Sequence, residues 1–125
     1  MRARPDRGLM SSSVRVKRIY EPIDADDGHR VLVDRMWPRG VARERAALDA
    51  WMPEVAPSTE LRKWFAHDPE RWPEFRARYA AELVNNPRVA ELAAIAARGT
   101  LTLLYSARDT NHNQAVALAS VLDAV

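Results

Sequence analysis

The chain has 125 residues, enough for one domain that hides roughly two-thirds of its unfolded surface. It contains no cysteine, which excludes disulfides, thiolate nucleophiles and cysteine-held zinc and makes the reducing cytoplasm the expected location. Nineteen basic residues stand against 17 acidic ones, and the surplus lies in the first thirteen residues, where Arg2, Arg4 and Arg7 outnumber Asp6. The rest is neutral, so nucleic acid is not the expected partner, and no apolar run nears the ~20 residues of a membrane span.

Residues 1–13 read as a disordered basic leader, with Pro5, Gly8 and three consecutive serines, ahead of a single α/β domain over 14–125. Val14 to Ile19 alternates apolar and basic residues, the pattern of an edge-facing strand. Glu21 to Gly28 holds Pro22, three aspartates and Gly28, a loop by its breakers. His29 to Asp34 carries the unbroken Val31-Leu32-Val33, which suits a strand buried on both faces. Pro38 and Gly40 then turn the chain.

Val41 to Leu48 is charged and alanine-rich, a short helical turn; Leu48 to Met52 is apolar, and Pro53 and Pro57 bracket the next loop. Three helices follow, each marked by its cap. Ser58 precedes Leu61, Trp64 and Phe65. Asp68-Pro69-Glu70 combines an N-cap, a proline and an acid at the helix start, ahead of a Trp72, Phe75, Tyr79 and Leu83 stripe. Asn86-Pro87 repeats the device, and Gly99 closes that helix. Thr100 to Tyr105 reads as a second buried strand and Ala115 to Leu122 as a final helix. The expected fold class is α/β, a small single domain with a short, mostly parallel sheet flanked by helices.

Two stretches leave buried strands at their carboxyl ends, where open α/β sheets build sites. One is Asp34 to Gly40, the other Tyr105 to Asn113. If the two strands are parallel neighbours, Asp34, Arg35 and Arg39 meet Ser106, Asp109, Asn111 and His112 in one crevice, with the first amides of the last helix pointing in. Arginine's planar fork suits phosphate or carboxylate, and Trp37 offers a ring to stack on a ligand. His112 lies three residues after Asp109, which can orient an imidazole for proton transfer. The candidate catalytic residues are His112, Asp109 and Asp34. The candidate ligand-binding residues are Arg35, Arg39, Trp37, Ser106, Asn111, Asn113, His67 and Asp68. His29 reads as structural. No ligand-spaced metal motif, glycine-rich phosphate loop or nucleophile elbow is present, so no metal and no cofactor are expected.

Taken together, VLVDRMWPRG, APSTELRKWFAHDPERWPEFRARY and TLLYSARDTNHNQA resemble the YeaO-like branch of the domain-of-unknown-function family 488, over roughly Val14 to Leu122. The resemblance implies a small bacterial α/β protein and supplies no substrate. The positions that match are Asp34, Arg35, Trp37, Pro38, Arg39, Gly40, Trp64, His67, Asp68, Tyr105, Asp109, His112 and Asn113. Longer members of the wider family carry cysteines, one in the segment matching Tyr105 to His112; this chain has none, so a thiol mechanism does not carry over. The leading functional reading is an enzyme or binder for a small anionic ligand, phosphorylated or nucleotide-like. The alternatives are a nucleic-acid-binding module using the leader with Arg15, Lys17 and Arg18, and a protein-interaction module without catalysis.

Overall fold

The computed structural model of the chain describes residues 13–124; the expected leader falls almost wholly outside them. Among the described residues four strands form one parallel sheet: β1 (Val14–Arg18), β2 (His29–Leu32), β3 (Ala50–Trp51) and β4 (Leu101–Tyr105), in the order β1-β4-β2-β3. The helices are α1 (Arg43–Ala46), α2 (Thr59–Phe65), α3 (Trp72–Leu83), α4 (Pro87–Arg98) and α5 (Gln114–Asp123). Among the described residues no helix is long and apolar enough to cross a membrane.

β2 and β4 are parallel neighbours inside the sheet, with Val31 opposite Leu103 and Leu32 opposite Leu104. Both strands are buried throughout except at His29, as their unbroken apolar runs require. Alternation along each strand then divides the core. Val31, Val33, Leu101, Leu103 and Tyr105 belong to the larger cluster, which includes Leu61, Phe75, Leu92 and Leu118 of α2, α3, α4 and α5. Leu32, Leu104 and Ile19 join Ala46 in a smaller cluster under Trp37, Leu48 and Trp51. Leu48 to Met52, read only as apolar, contributes β3, whose two residues are too few to show alternation.

The caps read at Ser58 and Asn86 form, and Asn113 adds one that was not read. Ser58 accepts from the Leu61 amide and is itself gripped by Glu82, Asn86 accepts from Arg88, and Asn113 accepts from Val116. Asp68-Pro69 departs in detail: it starts a 3-10 turn over Pro69–Arg71, and α3 begins at Trp72 with Pro73 in its first turn. The α3 stripe lands in the core, where Phe65, Phe75 and Tyr79 stack in succession and the Tyr79 hydroxyl donates to the Val55 carbonyl at 2.6 Å.

The loop between β1 and β2 hides a charge cluster. Asp27, read as a breaker in an acidic loop, is 2 % exposed. It accepts from Lys17 at 3.0 Å and from the equally buried Arg30 at 2.5 Å. Arg30 also donates to the Ala46 and Ala47 carbonyls, tying the cluster to the end of α1. Burial alone would raise the Asp27 carboxyl, but the Asp24 amide, Lys17 and Arg30 outweigh it and hold the group below its ordinary value.

Candidate functional site

Because β2 and β4 run side by side in the same direction, the loops that follow them emerge at the same edge of the sheet. Between them lies a crevice of about 430 Å³. The segment after β2 supplies Asp34 to Arg39, α2 and the turn after it supply Arg62, Lys63, Phe65 and His67, and the segment after β4 supplies Ser106, Ala107, Asn113 and Gln114. Ala56, Pro57 and Phe75 of α3 complete the wall.

Asp34 forms the buried polar part of the crevice, at 8 % exposure. Its carboxylate accepts from the Ser106 amide at 3.1 Å, the Ser106 hydroxyl at 2.5 Å and Gln114 Nε2 at 2.5 Å. Burial pushes this carboxyl above its ordinary value, against the pull of those three bonds and of the Arg62 charge. The backbone on either side is braced. Trp51 Nε1 donates to the Asp34 carbonyl at 2.8 Å, and Arg18 donates to the carbonyls of Ser106 and Ala107, both at 2.9 Å.

The cations differ in their freedom. Arg35 is tethered through Nη2 to the Pro57 and Ala56 carbonyls, at 3.0 and 3.4 Å, and its buried Nε has no acceptor among the described residues. Arg39, Arg62 and Lys63 are exposed, and their side chains make no ion pair or hydrogen bond among the described residues. Only the main chain at Arg39 is fixed, its carbonyl accepting from the Tyr20 hydroxyl at 2.9 Å. Among the described residues the crevice therefore presents three cations without a partner and one tethered one, while the one carboxylate lining it is already satisfied.

Trp37 lines the crevice with part of its ring. Its indole is otherwise committed: Nε1 donates to the Val41 carbonyl at 2.7 Å, the ring meets Trp51 edge-on, and Arg43 lies 4.4 Å over its face. His67 reaches the crevice from a left-handed backbone, φ 57°, directly after Ala66 at φ 48°. Two consecutive non-glycine residues in that region carry strain of the kind that collects at ligand sites.

Of the remaining candidates, Asp68, Asp109, Asn111 and His112 lie elsewhere. Asp68 caps the Glu70 amide and faces Arg71. Asp109 accepts from the Asn111 and His112 amides and meets His112 Nδ1 at 2.9 Å. The Asn111 amide first, and then the His112 ring, hold the Asp109 carboxyl below its ordinary value. The His112 ring packs edge-on against Trp72 at 5.4 Å. Asp109, Asn111 and His112 do not line the crevice, although the pairing of Asp109 with His112 forms. Asn113 lines it from a buried position, with its side chain spent on the α5 cap and the Asp109 carbonyl. Arg62, Lys63, Phe65, Phe75 and Gln114 line it without having been candidates. Among the described residues no group of three acidic or histidine side chains is placed to hold a metal ion.

Residues 13–125 match the model of the inactive DUF488-N3 subclade. The chain belongs to this family. It is 46 % identical over 111 residues to the uncharacterised protein YeaO of Escherichia coli, covering 88 % of this chain and 96 % of that protein. It is 44 % identical over 115 residues to the uncharacterised protein Rv3073c of Mycobacterium tuberculosis, covering 92 % of this chain and 98 % of the other. No solved structure is significantly similar to it.

Proposed function

We propose that the protein holds a small anionic ligand, phosphorylated or nucleotide-like, in the crevice between the segments after β2 and β4, and does so without turning it over. One observation carries this reading: Arg39, Arg62 and Lys63 line the crevice with no partner among the described residues, beside a tethered Arg35 and a carboxylate satisfied by Ser106 and Gln114. Such a surface offers donors and positive charge in excess, which an acceptor-rich anion answers. The edges of Phe65 and Phe75, otherwise buried in the core, floor the crevice beside these cations. The word "inactive" in the family's description favours a holder over a catalyst. In this reading Asp109 and His112 shape the entry to α5 instead of moving a proton, and the lack of cysteine suits the cytoplasm. A catalytic reading rests on the Ser106 hydroxyl, 2.5 Å from Asp34 within the crevice. Release of product from a bound ester, abolished by Ser106→Ala, would favour it.

The test is a thermal-shift panel of phosphorylated metabolites, nucleotides and short oligonucleotides. A ligand at a hundred times its dissociation constant adds ~2.7 kcal/mol, a rise on the order of 10 °C in Tm for a domain this size. Arg39→Ala and Arg62→Ala should leave the ligand-free Tm within a degree or two, because both side chains are exposed, and together they should remove the rise. No shift with any anion, or a full shift in the double variant, overturns the reading. A shift confined to oligonucleotides would favour the nucleic-acid module.

A further inference from the structure

Asp34 is the one carboxylate among the crevice residues, and its three donors are not equivalent. The Ser106 amide can only donate. The Ser106 hydroxyl can turn about its C–O bond and accept instead, and the Gln114 carboxamide can rotate to offer its oxygen. A protonated Asp34 thus keeps a full set of bonds, its new O–H donating to Gln114 Oε1 while the other oxygen still accepts from Ser106. Both charge states of this buried group are accommodated without leaving an orphaned polar atom.

The charges facing Asp34 come from several elements. Its own segment supplies Arg35 and Arg39, α2 supplies Arg62 and Lys63, and the turn after α2 supplies His67. α3 contributes the uncharged Phe75, and the segment after β4 the uncharged Ser106, Asn113 and Gln114. Asp109 and His112, paired with each other, do not line the crevice. With no anion bound, the Arg62 charge favours the ionised carboxyl; an anion seated among the crevice's cations offsets that pull and adds a like charge.

We propose that Asp34 takes a proton from solvent when the crevice takes its anion, so that anion and proton bind together. This rests on the anion-holding reading above. The only bond formed is O–H at an Asp34 carboxylate oxygen, and the proton leaves again when the anion does. Burial already moves this carboxyl in the direction such coupling needs.

The probe is inorganic sulfate, which stays a dianion across the working range. Calorimetric titration in buffers of differing ionisation enthalpy should show uptake of about one proton per site, and affinity should fall about tenfold per pH unit above the carboxyl's own pKa. Asp34→Asn should give a flat profile, its carboxamide keeping the bonds to Ser106 and Gln114 once the latter turns. His67→Asn should keep the slope, separating Asp34 from the histidine of the crevice. Sulfate binding that is flat with pH in the wild type overturns the coupling alone, as does a slope that survives Asp34→Asn and vanishes in His67→Asn. Failure of sulfate to bind at any pH overturns the anion-holding reading and the coupling with it.

Discussion

Asp27→Ala is expected to destabilise the protein by about 3–5 kcal/mol, the usual cost of removing one partner from a buried ion pair. The substitution leaves Arg30, whose side chain is 5 % exposed, and the mostly buried Lys17 without their counter-ion. The same cluster sets acid sensitivity. The Asp27 carboxyl is held below its ordinary value in the folded state, so its stabilisation is complete above the unfolded carboxyl's pKa of about 3.9. It is lost as pH falls through the lower folded value. Urea unfolding at neutral pH and in steps down to about pH 2 checks both points. The wild type should weaken across the acid range, whereas the variant should start weak and show a shallower acid slope. Equal stability of the two at neutral pH would show that Asp27 does not anchor the fold.

Gly28→Ala is the second change expected to be severe. Gly28 has φ +64°, and a Cβ there would lie 2.4 Å from the Thr100 carbonyl oxygen. That carbonyl already accepts the His29 amide at 2.9 Å, the bond that starts the β2–β4 pairing. Strain of about 1–3 kcal/mol from the backbone region adds to an overpacking cost of similar size. The combined loss of about 3–5 kcal/mol is a large part of a domain's 5–15 kcal/mol. A Tm lower by on the order of 10–20 °C is expected, and a fall of only a degree or two would contradict the close approach.

The strand-end rule made the crevice's location legible. Val31-Leu32-Val33 and Leu101 to Tyr105 are buried parallel neighbours, and Asp34 and Ser106, the residues that follow, meet directly. What pattern could not reach was everything set by the docking of α2. Arg62 and Lys63 carried no reading of their own, because sequence shows which residues share a helix side, not which wall that side meets. Asp109 and His112 stand outside the crevice for the opposite reason. Their local spacing made the pair, yet the fold turned the ring onto Trp72. Asp27 was hidden among Asp24 and Asp26, which cap and cover the same turn while staying exposed. Its signal was Arg30, a charge directly ahead of a buried apolar run, which needs a partner.

Amide NMR spectra of the protein titrated with phenyl phosphate decide whether the crevice holds an anion. Saturable shifts are expected to gather at Asp34 to Arg39, at Arg62 to His67 and at Ser106 to Gln114, and to fade in Arg39→Ala combined with Arg62→Ala. Shifts gathered instead around exposed cations outside the crevice, such as Arg15, Arg76 and Arg78, or no saturable shift, would contradict the account.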